Sequence, residues 1–159
     1  MRTLFFCLFT LANLSVMKET KVNEQIVIPQ EVIESCEHWG DEYDICPEVL
    51  EAMCWHETRC RPELENAGCK GITQINPAYH KAAMEKLGID DLFNYDQNIH
   101  LCAYTIRQYA DEEEDLYYVL MCWNSGSTKG KRLFEEGKFT KYAIEVSNES
   151  WTLERQHGK

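Results

Sequence analysis

From residue 29 to residue 153 the apolar residues return every three or four positions, in stretches separated by proline, glycine or short polar runs. A chain with that period buries its apolar side as packed helices, because half-buried strands need alternation by two. Val32, Ile33, Cys36 and Trp39 form the first stretch, after Pro29, with Gly40 as its expected stop. A second helix is predicted to begin at Pro47, whose missing N–H costs nothing in a first turn. It carries Leu50, Met53, Cys54 and Glu57 along one face and ends by Pro62. Residues 77–87 form a third, closed by Gly88. Asp96 caps a fourth that aligns Ile99, Cys102, Ala103, Ile106 and Ala110. The fifth covers residues 116–124, with Leu116, Val119, Leu120 and Trp123 inward and Gly126 as its exit.

Residues 125–138, rich in Lys and Gly, read as a polar turn before a last helix from Thr140, on which Ala143, Val146 and Leu153 are the packing positions. The tail over residues 154–159 is expected to fray. Between the second and third helices, residues 60–77 read as loop, where the alternation at Ile72 and Ile75 allows at most a small hairpin. The chain shows no internal repeat, no long linker and no βαβ alternation, so the class is mainly α.

At 159 residues, 44% of them hydrophobic, the chain suits one domain with a real core, predicted over residues 28–155, and global disorder is excluded. Sixteen basic against 27 acidic residues give a net charge of −11, with an acidic run at residues 111–115 that reads as a solvated loop. Nucleic acid is thereby excluded as a partner, because phosphate binding rests on clustered Lys and Arg. Electrostatic capture on an anionic wall is disfavoured too, which implies a delivery partner within a cell-envelope assembly.

Residues 4–16 read LFFCLFTLANLSV, with Arg2 before them and Lys18 and Lys21 after. That order of charge, apolar stretch and polar exit predicts a secretory leader over residues 1–20. The stretch is shorter than the ~20 residues of a stable bilayer span. No A-x-A-like cleavage site stands out, so the expected location is secreted, or in the envelope with an uncleaved leader as the membrane contact. Of eight cysteines, removing Cys7 in the leader leaves an odd seven, so full pairing within the chain is impossible. Cys54, Cys102 and Cys122 fall on inward stripes as small hydrophobes. Cys60 and Cys69 flank a polar segment that a bridge could close, and Cys36 and Cys46 stay unassigned.

Glu57 stands apart because it follows Met53 by four positions and Leu50 by seven, which puts a carboxylate over their apolar face. Lost hydration and the negative end of the helix both disfavour its charged form, so its proton affinity should rise. A carboxylic acid held neutral near neutral pH can protonate a leaving group.

After Glu57-Thr58 come Gly71-Ile72-Thr73-Gln74, then Asn98-Ile99, then Cys122-Trp123-Asn124-Ser125-Gly126, and last Tyr142-Ala143-Ile144-Glu145-Val146. In that order the chain resembles, over residues 45–148, the lytic transglycosylase domain of the soluble (SLT) type, within the lysozyme-like superfamily. The resemblance implies an α+β lysozyme-like fold, mainly α, with peptidoglycan glycan strands as substrate and no cofactor. It makes Glu57 the sole catalytic acid and base.

The same resemblance implies a substrate-binding set of Thr58, Gly71, Gln74, Trp123, Asn124 and Tyr142. Thr58 replaces a family serine and keeps its hydroxyl. Gly71 suits close backbone approach to a sugar, Gln74 offers a donor and an acceptor, and Asn124 a polar contact near Glu57. Trp123 stands where the family has tyrosine, so a phenolic hydrogen bond should be absent while an aromatic wall is kept. The hydroxyl of Tyr142 could orient Glu57.

The implied reaction cuts the β-1,4 bond between N-acetylmuramic acid and N-acetylglucosamine and leaves a 1,6-anhydromuramoyl end. A hydrolytic muramidase would need a second carboxylate, for which Glu63, Glu65, Asp90, Asp91 and Asp96 are nominal candidates. A third reading is a lysozyme-fold module that binds glycan without cutting it. His56, Glu57 and Cys60 also compose H-E-x-x-C, one ligand away from a zinc-hydrolase motif, but Pro62 follows at once and no third ligand lies at a recognisable offset.

Overall fold

A computed structural model describes residues 25–159, so the leader lies outside the described residues. Within them seven helices follow in order: α1 Gln30–Tyr43, α2 Pro47–Thr58, α3 Pro77–Leu87, α4 Tyr95–Glu112, α5 Leu116–Ser125, α6 Ser127–Glu135 and α7 Lys141–Gln156. Between α2 and α3 lies one antiparallel hairpin, β1 Glu65–Asn66 with β2 Cys69–Lys70. The fold is therefore mainly α with a small hairpin after α2, as the periodicity requires.

Helix α2 is the centre of the molecule, packed by α1, α7 and α4. Leu50, Ala52, Met53 and Cys54 have no exposed surface, and Cys102 and Cys122 are equally enclosed, three thiols acting as small hydrophobes. Ile72 and Ile75 do not alternate in a strand. Both are buried core residues, and the hairpin forms earlier, around Ala67 and Gly68, where two successive positive φ values of 50° and 81° turn the chain. Cys60 and Cys69 are free thiols, so no bridge closes this loop.

Other expectations need correction at particular residues. Gly40 does not stop α1; the helix runs on to Tyr43, and Asp44 ends it in the left-handed conformation. The glycine is there because a Cβ would come within 2.7 Å of the Ile45 carbonyl oxygen as the chain folds back to start α2. The cap of α4 is Asn94, whose side chain accepts from Asp96 and Gln97 N–H, and Asp96 instead accepts from Ser35 (2.7 Å) and the Trp39 indole (2.9 Å). The acidic run is only partly loop, since Asp111 and Glu112 complete α4 and Asp115 caps α5.

The polar turn expected over residues 125–138 contains α6. Gly130 is its one buried residue, and a Cβ there would lie 2.6 Å from the backbone of Cys122, so glycine is what lets α6 close onto α5. The tail is held as well. His157 Nδ1 lies 3.0 Å and Lys159 Nζ 2.6 Å from the Glu48 carboxylate, which is buried beside Glu51.

These neighbours titrate in opposite senses. Burial works against the charge of Glu48, yet Cys46, Lys159 and His157 hold its carboxyl down to about 2. Glu51 has an oxygen without a hydrogen-bond partner, and burial foremost, then the charge of Glu48, pushes its carboxyl up to about 7. A raised folded-state value means stability that is present below the usual carboxylate range and lost as pH rises through about 7. Glu51→Gln is therefore expected to match the parent in urea melts at pH ~5 and to exceed it at pH ~8 by on the order of 1–3 kcal/mol. An equal change at both pH values would contradict this assignment.

Candidate active site

Glu57 sits in the last turn of α2, half-buried, immediately before an abrupt reversal of the chain. Arg59 and Cys60 take φ values of 55° and 60°, two successive left-handed residues without a glycine. Such backbone persists only where its surroundings fix it. The Arg59 guanidinium supplies part of that, donating to the carbonyls of Trp55 (2.7 Å) and His56 (3.2 Å) while lying 4.9 Å from the Trp55 ring. It thereby satisfies the His56 carbonyl at the negative end of α2 and adds a second donor at the Trp55 carbonyl, which already accepts from Arg59 N–H.

Thr58 supplies the rest. Its side chain is buried, donates to the Ile72 carbonyl at 2.9 Å and accepts from Arg61 N–H at 3.1 Å, so the hydroxyl is committed to holding the following loop. That loop is fixed from the far side by Asn98 of α4. The Asn98 amide accepts from Thr73 N (3.1 Å) and Thr73 Oγ1 (2.6 Å) and donates to the carbonyls of Lys70 (3.0 Å) and Leu92 (2.9 Å). Every hydrogen-bonding site of a fully buried amide is thus used.

Three side chains lower the proton affinity of Glu57: Tyr142 of α7, the adjacent His56 and Trp123 of α5. Burial is the largest influence and raises the proton affinity of Glu57; Tyr142, His56 and Trp123 partly offset it. The Tyr142 hydroxyl is buried and lacks a partner within hydrogen-bonding distance, yet it is close enough to favour the carboxylate. The only side-chain donor of Trp123 is its indole N–H. No phenol stands here, and it is the indole that lowers the proton affinity of Glu57.

His56 is paired in turn. Its Nδ1 lies 2.9 Å from Glu149 Oε2 of α7, and its ring meets Tyr142 edge-on at 5.0 Å and 83°. Helix α2 ends at Thr58, so His56 and Cys60 do not share a helical face, and the ligand geometry of the zinc reading is not formed.

The model of the transglycosylase SLT domain family matches residues 34–146, well over half of the chain. The chain belongs to that family. Membership carries peptidoglycan as substrate and lytic cleavage of its glycan as the family-level activity, which is consistent with an envelope location. No curated protein matches the chain. No described helix is long and apolar enough to cross a membrane.

Of the motif residues in this SLT domain, Glu57, Trp123 and Tyr142 come together, whereas Thr58, Gly71 and Gln74 make the supporting loop. Gly71, at φ +76°, makes its close approach to protein: a Cβ would fall on the Leu92 carbonyl oxygen and the Asn98 amide nitrogen. Gln74 donates to the carbonyls of Gly71 (2.9 Å) and Leu64 (3.2 Å), at a positive φ of 53°. Asn124 stands exposed in the last turn of α5 and is not among the groups acting on Glu57.

Sequence reasoning missed two neighbours. His80 of α3 lies 6.2 Å from the Trp123 ring, and burial lowers its proton affinity, so it presents a neutral imidazole. Glu149 reaches His56 across 93 positions of sequence. Neither has a local signal, since each pairing depends on how distant helices cross.

Proposed function

We propose that Glu57 alone carries the proton transfers of a non-hydrolytic cleavage between N-acetylmuramic acid and N-acetylglucosamine. Protonated Glu57 gives its proton to the glycosidic oxygen as the bond from that oxygen to the muramoyl anomeric carbon breaks. The resulting carboxylate then takes the proton of the muramoyl 6-hydroxyl, whose oxygen bonds to the same carbon and closes a 1,6-anhydro ring. The proton count balances on one residue, and no water enters. Holding the internal nucleophile beside the reacting carbon takes the place of a bound water.

What supports this reading most is the company Glu57 keeps: a phenol, an indole and an imidazole, with no second carboxylate acting on it among the described residues. None of the nominal candidates is among the groups acting on it. Asp96 is held by Ser35 and Trp39, Asp90 accepts from Gln97, Asp91 accepts from Phe93 N–H, Glu65 pairs with Lys70, and Glu63 is exposed. In this reading Tyr142 steadies the ionised carboxylate, and Trp123 with His80 forms a ring platform for a sugar. Asn124 meets glycan from the rim, and the Gln74 carbonyl oxygen, whose amide nitrogen is engaged elsewhere, accepts from it. Thr58 and Gly71 serve binding by fixing the wall on which Gln74 stands.

The leader over residues 1–20 would deliver or tether the domain over residues 28–155, and the −11 charge makes placement by an envelope partner the route to an anionic wall. Digesting purified peptidoglycan and weighing the soluble products by mass spectrometry tests the chemistry. Muramoyl ends are expected one water lighter than reducing ends. Reducing ends alone would indicate hydrolysis, and no soluble product would indicate a binding module.

A further inference from the structure

His56, next to Glu57 on α2, is paired with Glu149 of α7. His56 Nδ1 and Glu149 Oε2 are 2.9 Å apart, with side chains 21% and 10% exposed. The imidazole stands edge-on to Tyr142, the residue whose hydroxyl faces Glu57 without a partner of its own. We propose that His56 and Glu149 are positioning residues for the cleavage: Glu149 holds His56 as an imidazolium, which seats the Tyr142 ring and stabilises Glu57 in the interval when it has given up its proton. The proposal rests on Glu57 being the acid and base, and goes beyond it by naming what makes the ionised half of that cycle tolerable in a half-buried place.

The surroundings on every packed element agree in sign. His56 is faced by Glu149, Glu145 and Tyr142 on α7 and by Glu57 beside it. The Glu149 hydrogen bond is the strongest influence and raises its proton affinity, against burial. Glu57 is faced by Tyr142, by Trp123 on α5, by Cys102 on α4 and by His56, and of these only His56 can bring a positive charge. A cation beside a carboxylate favours its ionised form. Without it, only the neutral donors Tyr142 and Trp123 would oppose burial, and the carboxyl would hold its proton more tightly in the step in which it must act as base.

The test is a carbon-13 carboxyl NMR titration of Glu57 in the full chain, for the parent, His56→Gln, Glu149→Gln and the double variant. Glutamine at position 56 keeps a donor for Glu149, and thermal melts verify folding. Loss of the imidazolium is expected to move the Glu57 midpoint up by about one pH unit. Glu149→Gln moves it the same way by less, and the double variant moves it no further than His56→Gln. The alkaline limb of kcat/KM on peptidoglycan should shift with it. A Glu57 midpoint unchanged in His56→Gln, or a double variant equal to the sum of two independent shifts, would overturn the proposal. The titration needs no substrate, so a chain that cuts no glycan overturns the proposed chemistry while leaving the coupling of these side chains separately measurable.

Discussion

Glu57→Gln is expected to lower glycan cleavage by on the order of 10²–10⁴-fold while leaving glycan binding and the fold in place. Glutamine is nearly isosteric, keeps a polar side chain facing Tyr142 and Trp123, and lacks only the proton that moves. Stability should not fall. A carboxyl whose folded-state proton affinity is raised by burial contributes stability at low pH that is lost as pH rises through its folded value. The glutamine variant has no such loss, so its thermal midpoint should equal the parent's in acid and exceed it at alkaline pH. Muropeptide release read beside glycan pull-down separates the outcomes. Retention of more than about a tenth of the parent rate would remove Glu57 from the role of general acid.

The largest structural effect is expected at Gly71, not in the apolar core. Gly71→Ala places a Cβ on the Leu92 carbonyl oxygen and the Asn98 amide, at a φ of +76° that side chains resist. Leu92 cannot yield, since its carbonyl is already an acceptor for Asn98, and Asn98 is held at four points. Steric overlap, backbone strain and a broken buried amide network then act together, for a loss of on the order of 4 kcal/mol and a fall in Tm of roughly 10 °C. Activity should fall with it even below the melting range, because the same loop carries Gln74 and is tied to Thr58 one residue from the acid. Calorimetry reads the first effect. A variant within ~1 kcal/mol of the parent would mean the loop repacks freely.

The helices were legible where local chemistry punctuates them. Pro77 and Gly88 bracket α3 at the expected residues, and Pro47 starts α2, because a fixed φ and a left-handed cap act within one turn. Gly40 and Gly130 misled because their reason is tertiary: each makes room for another segment, Ile45 in one case and Cys122 in the other, while remaining helical. Helix α6 was hidden for the same cause, as a Lys- and Gly-rich stretch has little intrinsic signal until α5 is beside it. In the candidate site, the position of Glu57 over an apolar face could be read from spacing, and Trp123 and Tyr142 from their motifs. The tasks of Thr58 and Gly71 could not, because a hydroxyl or a glycine near an acid looks the same whether it meets sugar or backbone. His56 with Glu149 lay further out of reach, being assembled by the crossing of α2 and α7.

Cleavage by one glutamate with the sugar's own hydroxyl as nucleophile leaves no solvent oxygen in the product. Digestion of peptidoglycan in water enriched in oxygen-18, followed by mass spectrometry of the new muramoyl ends, reads that directly. Ends without heavy oxygen, lost together in Glu57→Gln, are the expected result; ends that carry oxygen-18 at the anomeric carbon would contradict it.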